Sequence, residues 1–220
     1  IQLQNPAYRF YLAGKDKKTP FEDRWNSDNN YRFFEPKLLQ HLKHGGNIGV
    51  CTGYGQLIAI DFDDEAYQAE KMKFLPRTFT TRTAGKGLRH FYYTLVDEMV
   101  SKQGLDKYIL KGKEIGYKGY LELKDKYGFR QLKEWEEDGS LEISRLVDIQ
   151  TLHYGVMCPP SAIKGKFYSV IDDNPIQEIN LQTLSGIFGI EDFRKARTTR
   201  ISYEAQPHKV QEAVELMKEL

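Results

Sequence analysis

The sequence predicts an α+β fold in which an antiparallel sheet carries a set of carboxylates, with an N-terminal α/β layer before it and a C-terminal helical tail after it. Three observations point there. The apolar run Leu57-Ile58-Ala59-Ile60 ends abruptly in Asp61-Phe62-Asp63-Asp64, the pattern of a buried central strand that emerges into solvent. Stretches rich in β-branched and aromatic residues, at Thr78 to Thr83, Leu88 to Leu95, Leu141 to Ile149 and Tyr154 to Cys158, follow one another without the regular helices of a parallel α/β chain. From Asn174 onward apolar residues fall at helical spacing instead, at Leu181, Leu184, Ile187 and Phe188 and again at Val210, Val214, Leu216 and Met217.

Composition bounds the function classes. A chain of 220 residues buries a core large enough for an enzyme. The net charge of +1 conceals an uneven distribution. Acids gather at Asp61 to Glu70 and Glu134 to Asp138, and bases at Lys107 to Lys118 and Arg194 to Arg200, so overall balance does not exclude a basic groove. Cys51 and Cys158 are the two cysteines, each in an apolar strand-like setting, and they read as small hydrophobes in a reducing compartment. No apolar run approaches the ~20 residues that cross a bilayer and no signal-peptide pattern opens the chain, so the expectation is a cytoplasmic protein with no membrane partner.

Taken in order, residues 6–25 read as a loop-rich opening anchored by Trp25. Pro36 to Lys43 is a short amphipathic helix through Leu38, Leu39 and Leu42, stopped by Gly45-Gly46. Asn47 to Thr52 is a strand and Gly53 to Gln56 a turn, which predicts a hairpin with the acidic strand. Asp64 to Phe74 is a helix with Tyr67 and Met72 inward, ended by Pro76. On the strand after Gly85-Lys86-Gly87, residues Leu88, His90 and Tyr92 share one face and Arg89, Phe91 and Tyr93 the other. Glu98 to Trp135 interleaves lysines with tyrosines, a composition that fits a nucleic-acid surface and a solvated β-hairpin insertion equally. Glu134 to Gly139 is an acidic turn. The next strand ends at Val147-Asp148-Ile149, and a final strand at Lys166 to Ile171 follows a loop with Lys164.

Side chains alternate along a strand, so Asp61 and Asp63 project to one side about 7 Å apart. Like charges so placed repel and call for a compensating cation, and hard oxygen ligands suit Mg²⁺ or Mn²⁺. The same stretch also reads as an acidic turn that opens the helix from Asp64, where acids favour the N-terminal turn. Gly85-Lys86-Gly87 offers backbone N–H groups and an ammonium to an anion, and also fits an ordinary tight turn. The run Arg194, Lys195, Arg197 and Arg200 suits phosphate as well as a solvated helix face.

The ordered set runs from Lys17-Lys18-Thr19-Pro20 and Trp25, through Asn47 to Gly53, Asp61-Phe62-Asp63, Thr83-x-Gly85-x-Gly87-x-x-His90-Phe91-Tyr92 and Asp148, to Pro159-Pro160-Ser161 and Gly165-x-x-Tyr168. It resembles the primase-polymerase (prim-pol) group of the archaeo-eukaryotic primase superfamily. The resemblance implies a sheet of the RNA-recognition type, a prim-pol catalytic domain over residues 1–173, and a helical tail or connector over 174–220. It implies two divalent metals, Mg²⁺ or Mn²⁺, on Asp61, Asp63 and Asp148, and nucleotide phosphate contact by His90. Where the group usually has a small residue this chain has Leu88, with Thr83 and Lys86 as compensating nucleotide contacts. Gln150 stands in place of an arginine, leaving Lys164 and Lys166 as triphosphate candidates. Some relatives carry a zinc stem; two separated cysteines and His153 do not make one, so no zinc is expected.

The implied activity is template-directed DNA primase/polymerase chemistry, transferring nucleotides from NTP or dNTP to a 3′-hydroxyl on a single-stranded DNA template by two-metal catalysis. The setting implied is replication of a plasmid, virus or other mobile element, with a replicative helicase on the same polypeptide and the chain continuing past Leu220. Arg194, Lys195, Arg197 and Arg200 would then hold DNA. The alternatives are a non-catalytic single-stranded nucleic-acid-binding module, which has no need of three acids at strand ends, and another Asp-x-Asp enzyme. A dehalogenase-type phosphatase meets Glu65 where Thr or Val is usual, a glycosyltransferase leaves His90 and Pro159-Pro160-Ser161 unexplained, and a rolling-circle nuclease wants a His-x-His pair that does not occur.

Overall fold

A computed structural model describes residues 2–85, 87–191 and 193. The elements in chain order are β1 (Arg9–Ala13), α1 (Pro36–Lys43), β2 (Asn47–Cys51), β3 (Leu57–Phe62), α2 (Glu65–Lys71), β4 (Thr80–Arg82), β5 (Arg89–Leu95), β6 (Gln103–Leu110), β7 (Lys113–Glu114) and α3 (Gly116–Glu137). They continue with β8 (Leu141–Gln150), β9 (Gly155–Met157), β10 (Ala162–Ile163), β11 (Lys166–Phe167), β12 (Ser169–Asp172), β13 (Gln177–Ile179) and α4 (Leu181–Phe188). The fold is α+β, built on antiparallel sheets. The large sheet runs β12-β4-β5-β3-β8-β6-β7, and β13 joins β5 as its parallel partner. A smaller sheet, β1-β2-β9, includes the strand and helix region predicted as the N-terminal layer.

The acidic strand is central because both of its faces are apolar up to Ile60. Leu57 and Ala59 join Tyr92, Phe10, Leu12, Ile48, Val50 and Val156 in a core between the two sheets. Ile58, Ile60 and Phe62 turn the other way, into a second core with Phe91, Tyr93, Val147 and Ile149 that Leu184 and Phe188 of α4 cover. Each large side chain so buried contributes about 1.5–3 kcal/mol. The helices on this second face are capped by their own sequence: the Asp64 carboxylate accepts from Tyr67 N at 2.7 Å, and the Asn180 side chain from Thr183 N at 2.7 Å. Asp64 thus belongs to the helix start, while Tyr67 and Met72 pack inward as their spacing predicts.

Four expectations are corrected. The predicted hairpin between Asn47 to Thr52 and the acidic strand does not form, because β2 pairs with β1 and β9 while β3 pairs with β5 and β8. A 3₁₀ turn at Tyr54–Gln56, entered and crossed with positive φ at Gly53 (96°), Gly55 (59°) and Gln56 (60°), carries the chain from one sheet to the other. The lysine- and tyrosine-rich segment is not only a hairpin: β6 and β7 lead into a 22-residue helix, α3, broken at Gly128 (φ 78°, ψ 162°). Glu134 to Glu137, read as part of an acidic turn, are its last residues. The strand expected over Lys166 to Ile171 is split into β11 and β12 around buried Tyr168, whose N–H donates to Ser161 O at 2.8 Å. Among the described residues no helix is long and apolar enough to cross a membrane.

Cys51 and Cys158 are free and buried, and burial pushes both thiols well above their ordinary pKa. Both are therefore expected to resist a thiol-reactive reagent at mildly alkaline pH in the native protein and to react at once in denaturant. Rapid labelling of either under native conditions would contradict the packing described.

Candidate active site

Three ionisable side chains lie abreast because three strands do. In the β3–β5 ladder Asp61 is the partner of His90, and in the β3–β8 ladder it is the partner of Asp148. Directly opposed residues of antiparallel strands share a face, with Cβ atoms about 5 Å apart. His90 Nε2 lies 3.0 Å from Asp61 Oδ1. His90 is buried, its ring 6.0 Å from that of Tyr168, and Tyr92 Oη stands 3.4 Å from His90 Nδ1 and 3.2 Å from Thr81 Oγ1. The histidine is therefore fixed from both ring nitrogens. Desolvation pushes the Asp61 carboxyl up, but the charge and hydrogen bond of His90, together with Lys18 and Lys102, outweigh it and hold the group below its usual 3.8.

Asp61 opens into a cleft of about 280 Å³ at the junction of the two sheets, lined also by Asp63, Thr83, Gly85, Leu88, His90, Lys18, Tyr11, Gly155, Met157 and Tyr168. Two glycines shape it. A Cβ at Gly49 would collide with the Tyr11 ring, and one at Gly155 would press on Tyr11, Trp25 and the Val50 carbonyl. Their absence lets Tyr11 lie flat on β2 and β9, with its hydroxyl 3.3 Å from Met157 Sδ. Burial raises the phenol pKa of Tyr11, and that of Tyr168 to about 12, so both walls are neutral. Pro159-Pro160-Ser161 serves this junction and not the cleft: Ser161 Oγ accepts from Ile48 N at 2.8 Å and donates to Ile48 O at 2.8 Å, tying the end of β9 to β2.

The sequence-derived candidates divide into groups. Asp61, Asp63, His90 and Thr83 line the one cleft, where Thr83 N donates to Leu88 O at 2.7 Å to close the Gly85-containing tip. Asp148 sits beside Asp61 in the sheet but is not a cleft-lining residue. Its Oδ2 is 2.6 Å from Lys102 Nζ and its Oδ1 2.5 Å from Arg145, which also holds Asp106 at 2.7 Å. Gln150, where an arginine was looked for, places its amide 3.5 Å from Asp148 Oδ2. Lys164 and Lys166 belong to the β10–β11 hairpin; Lys164 donates its backbone N–H to Asp16 Oδ1 at 2.6 Å, and neither residue lines the cleft. Lys86, Arg194, Lys195, Arg197 and Arg200 lie outside the described residues. Sequence reasoning assigned no role to Lys18, the lysine of the cleft wall, or to Lys102 and Arg145. Lys18 had a signal in Lys17-Lys18-Thr19-Pro20; Lys102 had none, since the β6–β8 pairing brings it to Asp148, and Arg145 reaches Asp148 from three residues earlier on β8 without any motif to mark it.

Among the described residues no three acidic, histidine or cysteine side chains converge as a ready-made metal group. The donors nonetheless suit a hard divalent cation: Asp61 and Asp63 offer carboxylate oxygens to one cleft, and Asp148 is the cross-strand neighbour whose oxygens here hold an ammonium and a guanidinium.

Fold and site together define an α+β domain with an acidic cleft lined also by a histidine and a lysine. Residues 8–182 match the family described as the N-terminal domain of bifunctional DNA primase/polymerases, Prim-Pol. The match spans most of the chain, and the protein belongs to that family, whose members are primase/polymerase nucleotidyltransferases. A comparison with curated proteins gives no match.

The Asp61–His90 pair sets a pH-dependent expectation. An acid held below its unfolded value contributes stability that is present above that value and is lost as pH falls through the lower folded one. A double-mutant cycle of Asp61→Asn and His90→Gln, read by denaturant unfolding, is expected to give a coupling of about 1.5–3 kcal/mol at neutral pH. The coupling should fade once the pH is taken below 3.8. A coupling absent at neutral pH, or unchanged in acid, would contradict the assignment.

Proposed function

We propose that the chain is a template-directed DNA primase/polymerase that transfers nucleotides from NTP or dNTP to a 3′-hydroxyl on single-stranded DNA. The observation that carries this reading is the convergence of Asp61, Asp63, His90 and Lys18 on one cleft, with Asp148 as the strand neighbour of Asp61, in a member of the Prim-Pol family. Asp61, Asp63 and Asp148 are the residues that would hold Mg²⁺ or Mn²⁺, as a pair of ions. Such ions, when bound, offset the charge on the attacking 3′-oxygen and the leaving pyrophosphate. In this reading the large sheet is the RNA-recognition-type platform, whose register sets Asp61 beside Asp148, with Asp63 just past the end of β3.

The remaining residues bind and orient. His90, locked by Asp61 on one nitrogen and facing Tyr92 on the other, cannot rotate away, so it presents a fixed ring edge to a phosphate in the cleft. Lys18 adds an ammonium to the cleft lining, and Thr83 a hydroxyl with the backbone of the Gly85 tip. Lys86, between Gly85 and Gly87 in the sequence, is assigned to the nucleotide as well. Lys164 and Lys166, at the β10–β11 hairpin, and the run Arg194, Lys195, Arg197 and Arg200 are assigned to longer-range contact with triphosphate and with DNA, where several positive charges gather the strand without fixing it. Tyr11 and Tyr168, neutral and rigid, exclude water from the side of the cleft facing the small sheet.

The test is incubation of single-stranded DNA with labelled nucleotides, Mg²⁺ or Mn²⁺, and no primer, with a primed template run in parallel. Template-dependent incorporation is expected in at least the primed reaction. Asp61→Ala and Asp63→Ala should abolish it without loss of fold, and His90→Ala and Lys18→Met should raise KM for nucleotide by about tenfold or more through lost charged contacts. Full incorporation by Asp61→Ala would overturn the reading. Phosphate release from a monoester without incorporation would favour the phosphatase alternative instead.

A further inference from the structure

The long helix α3 and the β6–β7 hairpin carry a feature that cleft chemistry does not use. Tyr108, Tyr120 and Tyr117 form a stepped stack: the Tyr108 and Tyr120 rings lie 4.6 Å apart at 29°, and the Tyr120 and Tyr117 rings 6.4 Å apart at 20°. The stack starts inside the fold and ends outside it. Tyr108 is buried at 7 % exposure, Tyr120 is intermediate, and Tyr117 stands 58 % exposed with a ring open to solvent. Tyr117 also meets Tyr108 directly, with ring centroids 5.8 Å apart at 40°, so all three rings join α3 to β6. Packing uses one side of the Tyr117 ring, and more than half of that residue stays open to solvent.

The surroundings are those of a polyanion site. Between residues 107 and 118 there are four lysines, Lys107, Lys111, Lys113 and Lys118, and one acid, Glu114. Lys107 takes up that acid at 3.8 Å, and Lys111, Lys113 and Lys118 are exposed, as is Tyr117. A line of polar contacts also runs from the stack toward Asp61. Tyr108 Oη lies 3.4 Å from Asp106, Asp106 lies 2.7 Å from Arg145, and Arg145 lies 2.5 Å from Asp148, the strand neighbour of Asp61. The acids on this line are covered by Arg145 and Lys102, so they do not repel a phosphate backbone. Tyr108 is four residues along β6 from Gly104, the partner of Asp148, a separation of about 13 Å along the strand.

We propose that the Tyr108–Tyr120–Tyr117 stack with Lys111, Lys113 and Lys118 is a docking track for single-stranded nucleic acid, on which a base stacks against Tyr117 and the lysines follow the phosphates toward the carboxylate cleft. The inference rests on the polymerase reading and names where that enzyme takes hold of its template strand. Stacking is tolerant of base identity, so the track binds without sequence preference. Acids are also near, Glu136 beside Tyr120 and Asp138 beside Lys111, so the bases are only partly balanced. A protein partner is the less fitting occupant, because lysines break the apolar surface of this face.

The test uses fluorescence anisotropy of a labelled oligothymidylate on the whole chain over a range of salt concentrations, with binding of a fluorescent nucleotide measured on the same preparations. Tyr117→Ala is expected to weaken strand affinity by about tenfold or more while Tyr117→Phe retains it, since stacking needs the ring and not the hydroxyl. Lys111→Gln with Lys113→Gln should reduce the slope of log affinity against log salt by about 1.4, two phosphate contacts' worth. The exposure of Lys111 and Lys113 keeps the melting temperature of that double variant unchanged, and Tyr117→Phe retains the ring contacts with Tyr108 and Tyr120. Variants that hold the strand as wild type does, with nucleotide binding intact, would overturn the track and leave the polymerase reading standing. Wild-type protein that binds no single strand would overturn both. A change in self-association on Tyr117→Ala with strand affinity unaltered would reassign the face to a protein contact and overturn the proposal.

Discussion

The placement of β3 between β5 and β8 is the constraint on which the structure depends. Because side chains alternate along a strand, a slip of one residue in either ladder would turn Asp61 into the core that holds Ile58, Ile60 and Phe62, where an unpaired carboxylate is costly by several kcal/mol. The apolar pattern on both faces therefore enforces one register, and that register sets Asp61 opposite His90 and Asp148 at once. Two acids side by side then need cations, and the fold provides them within reach: His90 for Asp61, Lys102 and Arg145 for Asp148. Charge compensation by the chain's own residues is what allows a pair of acids to sit together in a sheet before any ligand arrives.

The smaller sheet turns this line of charges into an enclosed site. Its strands approach closely because Gly49 and Gly155 offer no Cβ to the Tyr11 ring, and Ser161 fastens β9 to β2 through two bonds to Ile48. The same sheet brings the segment carrying Lys18 to the cleft wall, across from the tip at Gly85. Carboxylates, a lysine and neutral aromatic rings are thus contributed to one cleft by separate parts of the chain.

Much of this was legible in the sequence where a signal is local. The run from Leu57 to Asp63 reads as a strand ending in acids because its apolar residues are contiguous and its acids abrupt, and the alternation from Leu88 to Tyr93 puts His90 and Tyr92 on one face and Phe91 and Tyr93 on the other, as the placing of Tyr92 in one core and of Phe91 and Tyr93 in the second bears out. Helix α1 falls on Pro36–Lys43 as its leucines and stopping glycines require. What failed was non-local. The turn at Tyr54–Gln56 looks like a hairpin loop, and only the burial of β2 on both faces, between β1 and β9, shows that it links two sheets. Helix α3 escaped notice because Gly116, Gly119 and Gly128 interrupt it and only Leu132 is buried, so its apolar residues mark no continuous stripe. Lys102 and Arg145 carry no motif: Lys102 meets Asp148 across a ladder between residues 46 positions apart, for which single-sequence periodicity has no signature, and Arg145, on the same strand as Asp148, reads as an ordinary exposed base.

The central claim is that Asp61, Asp63 and Asp148 form one cation site despite the Lys102 and Arg145 contacts that occupy Asp148. Its most direct measurement is the paramagnetic broadening of backbone amide signals on titration with Mn²⁺, in the absence of nucleotide and DNA. The expected result is early broadening at residues 61, 63, 90 and 148 together, with weaker Mn²⁺ affinity in both Asp61→Asn and Asp148→Asn and tighter affinity in Lys102→Met, where the competing ammonium is gone. Broadening first at another acidic stretch, such as Glu134 to Asp138, or Mn²⁺ affinity untouched by Asp148→Asn, would contradict it.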